Sequence, residues 1–597
     1  MESLTLHTAM NGSGPHGPAP GCTPTLCDLP RRFADFADLG EALDYAASGV
    51  RGFNFYDARA DLAHAVTYAE LRACALDDAA RLRAAGVGVG DRVALIAETS
   101  PAFASLFLGA VLAGAWPVPL PLPTSFGGRE GYVAQIANQI ASSDPAIVLA
   151  PLDLMSFVVE AAPVGLATHD WEGFRAAPAA SAASAAPIEP HRPQPDDIAY
   201  LQYSSGSTRF PHGVMVTHRA LLANLRCHSL GMRIQWDDRV VSWLPMYHDM
   251  GLVGCFLSPL ANQISTDYLA TEDFTRRPLS WLTLISRNSG HSVSYSPTFG
   301  YDICARRVGQ GTHSTRFDLA RWRIAGNGAD MIRPEVMQAF TDSFAPSGFD
   351  PHAFLPSYGL AEATLAVSLM PPGEGIVIDE VDERLLAGDL DDHAADHRLR
   401  MRKFVNCGKP VLGHEVQVRD DGGEVLGDRG IGRIFFKGAS VMAGYFRDEA
   451  ASHAALRDGW LDTGDMGYLL RGYIYIVGRA KDMIIINGRN YWPQDIEWAI
   501  EQLPGFKSGD IAAFSITQAG GQEVAAVLVQ CRVTDPAERM GLHEAIRAKV
   551  RALTGMTCVV ELVAPRALPR TSSGKLSRVK ARSMYLAGTI QPLSVAA

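Results

Sequence analysis

From about residue 66 onward, the apolar positions switch repeatedly between a helical and a strand period. The stretch "VTYAELRACALDDAARLRAAGV" (66–87) spaces them for an amphipathic helix, and "RVALIAE" (92–98) is a short apolar run of strand length. A second helix follows, then strand "WPVPL" (116–120), a helix near 132–141 and strand "AIVLA" (146–150). Strand–helix–strand alternation predicts a largely parallel α/β sheet. Residues 161–195 are rich in Ala, Pro and Ser and read as a surface connector of low structural content. After residue 419 the texture changes to short strands with Gly-rich turns, "GEVLGDRGIGRIFFKG" (423–438) and "YIYIVGRAKDMIIING" (473–488). A smaller α/β unit starts near Met483.

The uncharged stretch 101–128 is the one candidate for a membrane span. Its helical part should stop before Pro117. About 15 residues at 1.5 Å each reach roughly 22 Å, short of a ~30 Å hydrocarbon core. A buried helix followed by a buried strand is therefore expected.

Composition narrows the class. The chain has 597 residues, 47% hydrophobic and 20% charged, an ordinary globular balance. A formal net charge of -11 argues against nonspecific nucleic-acid binding, which needs a basic surface. Residues 483–597 carry 13 Lys and Arg against 9 Asp and Glu, a local excess of +4 (13 minus 9). Nine scattered cysteines without a CxxC pair suit a reducing, cytoplasmic setting and argue against a zinc site. The Gly/Pro/His-rich start has no apolar signal core, so 1–24 reads as a disordered tail.

Chemistry enters with "LQYSSGSTRFPHGVMVTH" (201–218): a strand, a loop dense in Ser, Thr and Gly, and a second strand. Hydroxyls and backbone N–H groups in such a loop can wrap phosphate oxygens, although it is not a Walker loop. It has no lysine; His212 stands where one is expected, and Arg209 is a second cation at hand. Further along come "SWLPMYHDMGL" (242–252), "AGNGAD" (325–330), "SYGLAEAT" (357–364), "DTGDMGYL" (462–469), "GRAKDMIIINGRNYWPQDIE" (478–497) and "PRTSSGKLSR" (569–578). Singly each has a bland reading, as a polar turn, a core histidine or a solvated lysine.

In this order they resemble the adenylate-forming (ANL) superfamily of acyl-CoA synthetases, adenylation domains and luciferases, over roughly residues 25–586. The pieces "LQYSSGSTR", "LPMYHDMGL", "VNCGKP" and "INGRNYWPQDIE" are similar to its fatty acyl-AMP ligase (FAAL) branch. The resemblance implies an α/β fold with a large, multi-subdomain N-terminal adenylation domain (25–481). A small mobile α+β C-terminal domain (482–597) would turn about a hinge at Asp482. It implies ATP and Mg²⁺, with Ser204, Ser205, Gly206, Ser207, Thr208 and Arg209 at the phosphates, and Thr208 and Glu362 sharing the metal. Tyr358 would stack on adenine, flanked by Ser357, Gly359 and Leu360, with Asn327, Gly328 and Ala329 on the other side. Asp465 would accept the ribose hydroxyls and Arg479 support ribose and phosphate. Lys575 would bridge the acyl carboxylate and α-phosphate, with His248 beside that carboxylate. Met246, Met250, Phe256, Phe299 and Tyr301 are the apolar candidates for an acyl tunnel.

The acceptor is expected to be the phosphopantetheine thiol of an acyl carrier protein in trans. The basis is the long segment 378–404, which sits where FAALs carry an insertion that restrains the small domain. A CoA-using synthetase is the alternative, and a non-catalytic nucleotide- or acyl-binding relative the second.

Overall fold

In a computed structural model the described residues are 29–123, 128–176, 189–204, 211–309, 317–382, 401–486, 489–518, 522–571 and 575–594. Residues 1–28, and with them the expected tail, fall outside these, as do 205–210 of the phosphate loop and 383–400 of the insertion.

The first α/β unit forms as the hydrophobic pattern requires. Four parallel strands lie in the order Trp116–Leu120, Arg92–Ile96, Ile147–Ala150, Ala167–Asp170. The uncharged stretch supplies the helix Pro101–Ala113, buried from Phe103 to Ala113. Ser100 caps its start by accepting the Phe103 N–H, and Gly114, at φ 83°, ends it in the left-handed region. Among the described residues no helix is long and apolar enough to cross a membrane. The expectation for 161–195 is corrected over 161–176, while 177–188 lie outside the described residues. Ala167–Asp170 pairs with Ile147–Ala150, and Trp171 and Phe174 of the next helix are buried. Two aromatic anchors outweigh the low-complexity look of the surrounding Ala and Ser.

A nine-stranded sheet forms the centre. Its interior runs Phe354–Gly359, Trp322–Asn327, His291–Ser296, Asp238–Ser242, Ser265–Leu269, Gly52–Tyr56, all parallel neighbours. Antiparallel partners close both edges, Ala366–Leu369 and then Lys409–Pro410 on one side and Leu62–Thr67 on the other. Trp281, Tyr301, Trp322 and Phe340 pack beneath it, edge-on except for the stacked Tyr301–Trp322 pair, with ring centroids 5.0–6.2 Å apart in the contacting pairs. The phosphate-loop strands Ile198–Tyr203 and Gly213–Thr217 pair antiparallel, and Gly444–Tyr445 adds to the second.

The Gly-rich C-terminal texture becomes an antiparallel sheet that includes Gly432–Lys437, Trp460–Leu470 and Tyr473–Arg479. The small domain is a three-stranded sheet whose faces alternate by residue. Ile511, Ala513, Val527 and Val529 face the helices Pro493–Glu501 and Pro536–Thr554. Ala512, Phe514, Ala526 and Leu528 face Arg578–Leu586.

Candidate active site

Tyr358 lies at the end of the strand Phe354–Gly359. A Cβ on Gly359 would stand 1.9 Å from the Leu365 carbonyl oxygen, so only glycine lets the chain turn there. The buried Tyr358 hydroxyl donates to Oδ2 of Asp465 at 2.7 Å. Asp465 and Arg479 face each other across paired strands, and Arg479 Nε lies 3.2 Å from Asp465 Oδ1. An aromatic face, a carboxylate and a guanidinium thus converge from two sheets. The Asp465 charge holds the Arg479 pKa above its usual value. Burial, and then Asp465, push the Tyr358 phenol well up.

Lys575 arrives from the small domain. Its Nζ donates to the Ala329 carbonyl, in the "AGNGAD" turn where Ala329 itself has φ 64°. Burial lowers the Lys575 pKa, and Asp330 and Asp249 oppose that. Asp249 is held by its neighbours: Nδ1 of His248 is 2.5 Å from Oδ1, and the Met250 N–H donates at 2.8 Å. Burial alone would raise the Asp249 pKa, but His248, Lys575 and the Met250 N–H outweigh it and hold it low. An ionised Asp249 therefore sits near the incoming lysine. A π-helix, Met250–Leu257, starts immediately after it; such wide turns recur at functional sites.

The Glu362 carboxylate accepts the Tyr445 hydroxyl at 3.0 Å. Burial raises its pKa, against its own backbone N–H, Tyr445 and Arg479. Two residues later Thr364 has φ 71° and ψ -56°, a classic γ-turn conformation that is rare for a β-branched residue. Such strain costs about 1–3 kcal/mol and persists only where surrounding contacts impose it. His212 does not stand free in the lysine's place. Its Nδ1 lies 3.1 Å from Asp448 and its ring 4.7 Å from that of Tyr445.

A cavity of about 1440 Å³ gathers His248, Met250, Phe299, Ala329, Ser357, Tyr358, Gly359, Asp465, Arg479, Asp482 and Lys575. A narrow second cavity behind it shares Met250, Ala329 and 357–359 and continues past Gly254, Leu365 and Leu369 to His228 and Tyr295. Three acyl candidates stand apart from these cavities. Met246, Phe256 and Tyr301 line neither cavity and are buried in the core, Phe256 against Phe53 and Phe107, Tyr301 with its hydroxyl on the Gly326 carbonyl at 2.9 Å. Asn327, Gly328 and Leu360 also stay out of both cavities; the Asn327 amide is used inside the core, donating to Met337 Sδ. Ser204 lies at the edge of the described residues, while Ser205, Gly206, Ser207, Thr208 and Arg209 lie outside them.

Contacts between the domains escape sequence reasoning. Arg333 and Glu501 pair at 2.7 Å, and Arg402 and Asp495 at 2.8 Å. Within the small domain, Asp482 accepts from Arg578 at 3.0 Å, and Glu497 takes the same guanidinium through two oxygens at 2.7 and 2.8 Å. Each pair joins residues far apart in the chain, and charge alone does not say who meets whom. Asp249, inside a motif already singled out, was within reach of its adjacency to His248.

The pattern of the family described as "AMP-binding enzyme" matches residues 52–446. A solved structure from a study of fatty acyl-adenylate ligases from E. coli and L. pneumophila superposes with a TM-score of 0.87 at 43% identity, covering 94% of this chain and 100% of that one. A Caulobacter vibrioides protein with the provisional name acyl-CoA synthetase is 48% identical over 95% of this chain and 98% of its own length. A Moorena producens protein named medium-chain-fatty-acid–[acyl-carrier-protein] ligase is 34% identical over 66% of this chain and 69% of its own. The chain belongs to the AMP-binding, adenylate-forming enzymes, and within them it stands with the fatty acyl-AMP ligases. It is an enzyme that activates fatty acids as acyl adenylates.

Proposed function

We propose that the activated acyl group passes to the phosphopantetheine thiol of an acyl carrier protein supplied in trans. In the first step a fatty carboxylate oxygen attacks the α-phosphorus of ATP, the bond to the β-phosphate breaks, and pyrophosphate leaves. In the second the thiol sulfur attacks the acyl carbonyl carbon and AMP leaves, with the thiol proton lost to solvent. The chemistry needs positioning and charge stabilisation rather than a protein nucleophile. Tyr358 and Ala329 would hold the adenine, Asp465 the ribose, and Arg479 the ribose and phosphate. Lys575 would neutralise charge between carboxylate and α-phosphate, and His248 would orient the carboxylate. The phosphate loop, Ser204 to Arg209, would take the phosphates. Glu362, a half-buried carboxylate whose charge desolvation opposes, fits a site completed by a cation, and Mg²⁺ shared with Thr208 would neutralise phosphate charge there. The acyl tail would lie in the large cavity beside Met250 and Phe299.

One observation carries the choice of acceptor. The strands Ile378–Asp382 and Met401–Val405, which flank the insertion, form an antiparallel hairpin bound to the small domain. Arg402 reaches Asp495, and Val381 and Phe404 cluster with Trp492. These contacts favour the orientation in which Lys575 enters the site and oppose the swing to thioester formation, a cost that a carrier protein docking on the enzyme would offset with its own contacts more fully than free CoA would. The name of the Moorena relative points the same way; that of the Caulobacter relative favours CoA. Domain boundaries near 481 and 482, a hinge at Asp482 and a cytoplasmic location belong to the same reading.

The test is mass spectrometry of products from the purified enzyme with ATP, Mg²⁺ and a ladder of fatty acids, one aliquot given CoA and another a holo acyl carrier protein. Accumulating acyl-AMP, with thioester only on the carrier, is expected. Rapid conversion to acyl-CoA would replace this reading with the synthetase one.

A further inference from the structure

The turn that carries Glu362 is tied down from two sides. Asn224, fully buried on the helix His218–Gly231, donates through Nδ2 to the carbonyls of Ala363 at 3.1 Å and Ala366 at 2.9 Å. Its Oδ1 accepts the Ala366 N–H at 3.1 Å, so one amide engages the turn through both of its ends. On the other side the Thr364 hydroxyl donates to the buried Ser440 carbonyl at 2.7 Å, and the Met442 N–H donates to the Glu362 carbonyl at 2.9 Å. Ser440 is held in turn by His414. Nε2 accepts the Ser440 N–H at 3.1 Å and lies 2.5 Å from its hydroxyl, while Nδ1 faces the Leu412 carbonyl at 2.9 Å. That arrangement needs a neutral imidazole protonated at Nδ1, and burial lowers the His414 pKa in the same sense. None of Asn224, Thr364, Ser440 and His414 lines the large cavity.

We propose that Asn224 and the Ser440–His414 pair are positioning residues that fix the Glu362 carboxylate for Mg²⁺·ATP. The inference rests on the reading of Glu362 as a metal ligand. Its physical basis is the γ-turn at Thr364. A β-branched residue leaves that conformation unless its surroundings impose it, and here the constraints are the Asn224 amide and the hydroxyl bond to Ser440. Released, Thr364 relaxes toward an ordinary conformation and swings the Glu362 side chain two residues upstream. The helix bearing Asn224 directly follows the phosphate-loop strand Gly213–Thr217, so the same amide couples the loop's frame to the carboxylate.

Calorimetric titration of ATP into the full-length enzyme, at a series of Mg²⁺ concentrations, tests this. Thr364→Val keeps the shape and loses the hydroxyl; Thr364→Ser keeps the hydroxyl. The Mg²⁺ concentration for half-maximal ATP binding is expected to rise about tenfold in Thr364→Val, the ratio for one lost buried hydrogen bond. In Thr364→Ser it should stay within about twofold of wild type, and pyrophosphate release by Thr364→Val should recover at saturating Mg²⁺. Asn224→Ala should move the same way; if it fails to fold, the threonine pair carries the test. An unchanged Mg²⁺ response in Thr364→Val, beside a shifted one in Glu362→Gln, overturns the positioning role. An unchanged response in Glu362→Gln itself overturns the reading of Glu362, and the proposal with it.

Discussion

Lys575 shows how one residue's environment sets its chemistry. Half-buried near Asp249 and Asp330, it has a pKa below the ordinary lysine value, and in the proposed role its charged form stabilises developing negative charge. That charge is lost as pH rises through the lowered pKa, so pyrophosphate release should fall on the alkaline side at a pH below the usual lysine range of about 10.4. Lys575→Arg should move that limb upward, because guanidinium keeps its proton. Lys575→Ala should abolish adenylation while leaving the unfolding midpoint unchanged; retained pyrophosphate release would remove the assigned role. Asp465→Asn loses the charge that meets Tyr358 and Arg479 and should raise the ATP KM by roughly 10- to 100-fold, from a charged hydrogen bond of about 1.5–3 kcal/mol. Polar residues such as these were legible in the sequence because few other roles require that residue type in that loop. Met246, Phe256 and Tyr301 were not, because an apolar side chain serves a core and a tunnel equally well.

At the scale of elements, periodicity was informative wherever one face is buried. The helix Tyr68–Ala84 and the strands Arg92–Ile96 and Ile147–Ala150 stand where the pattern puts them. The connector at 161–195 misled because two aromatic anchors, Trp171 and Phe174, are a weak signal among many small residues. The aromatic layer under the central sheet should dominate stability. Phe340→Ala, at a fully buried position touching Tyr301, Trp322 and Phe349, should cost about 3–5 kcal/mol in denaturant unfolding. In the proposed reading the hairpin restrains the small domain through Arg402. Arg402→Ala frees Asp495 and should increase acyl-CoA formation from CoA while leaving acyl-AMP formation within about twofold. No change in acyl-CoA yield would deprive the hairpin of its restraining role.

For the molecule as a whole, the proposed hinge makes the described geometry one member of a two-position cycle. Lys575 on the Ala329 carbonyl, Arg333 on Glu501 and Arg402 on Asp495 hold the small domain over the site. Each contact must break before the domain can rotate, a hinge motion of the usual kind. Asp482→Pro should therefore slow acyl transfer more than adenylation in single-turnover assays, and equal loss of both would count against the hinge. The sequence by itself determined the α/β class, the order of the motifs and the identity of the charged and aromatic groups, because periodicity and residue chemistry are local properties. Tertiary structure alone decided which apolar residues line a cavity, which amide holds the Glu362 turn and which acidic residue answers Arg402. Those are choices among chemically equivalent partners, and only the three-dimensional path of the chain distinguishes them.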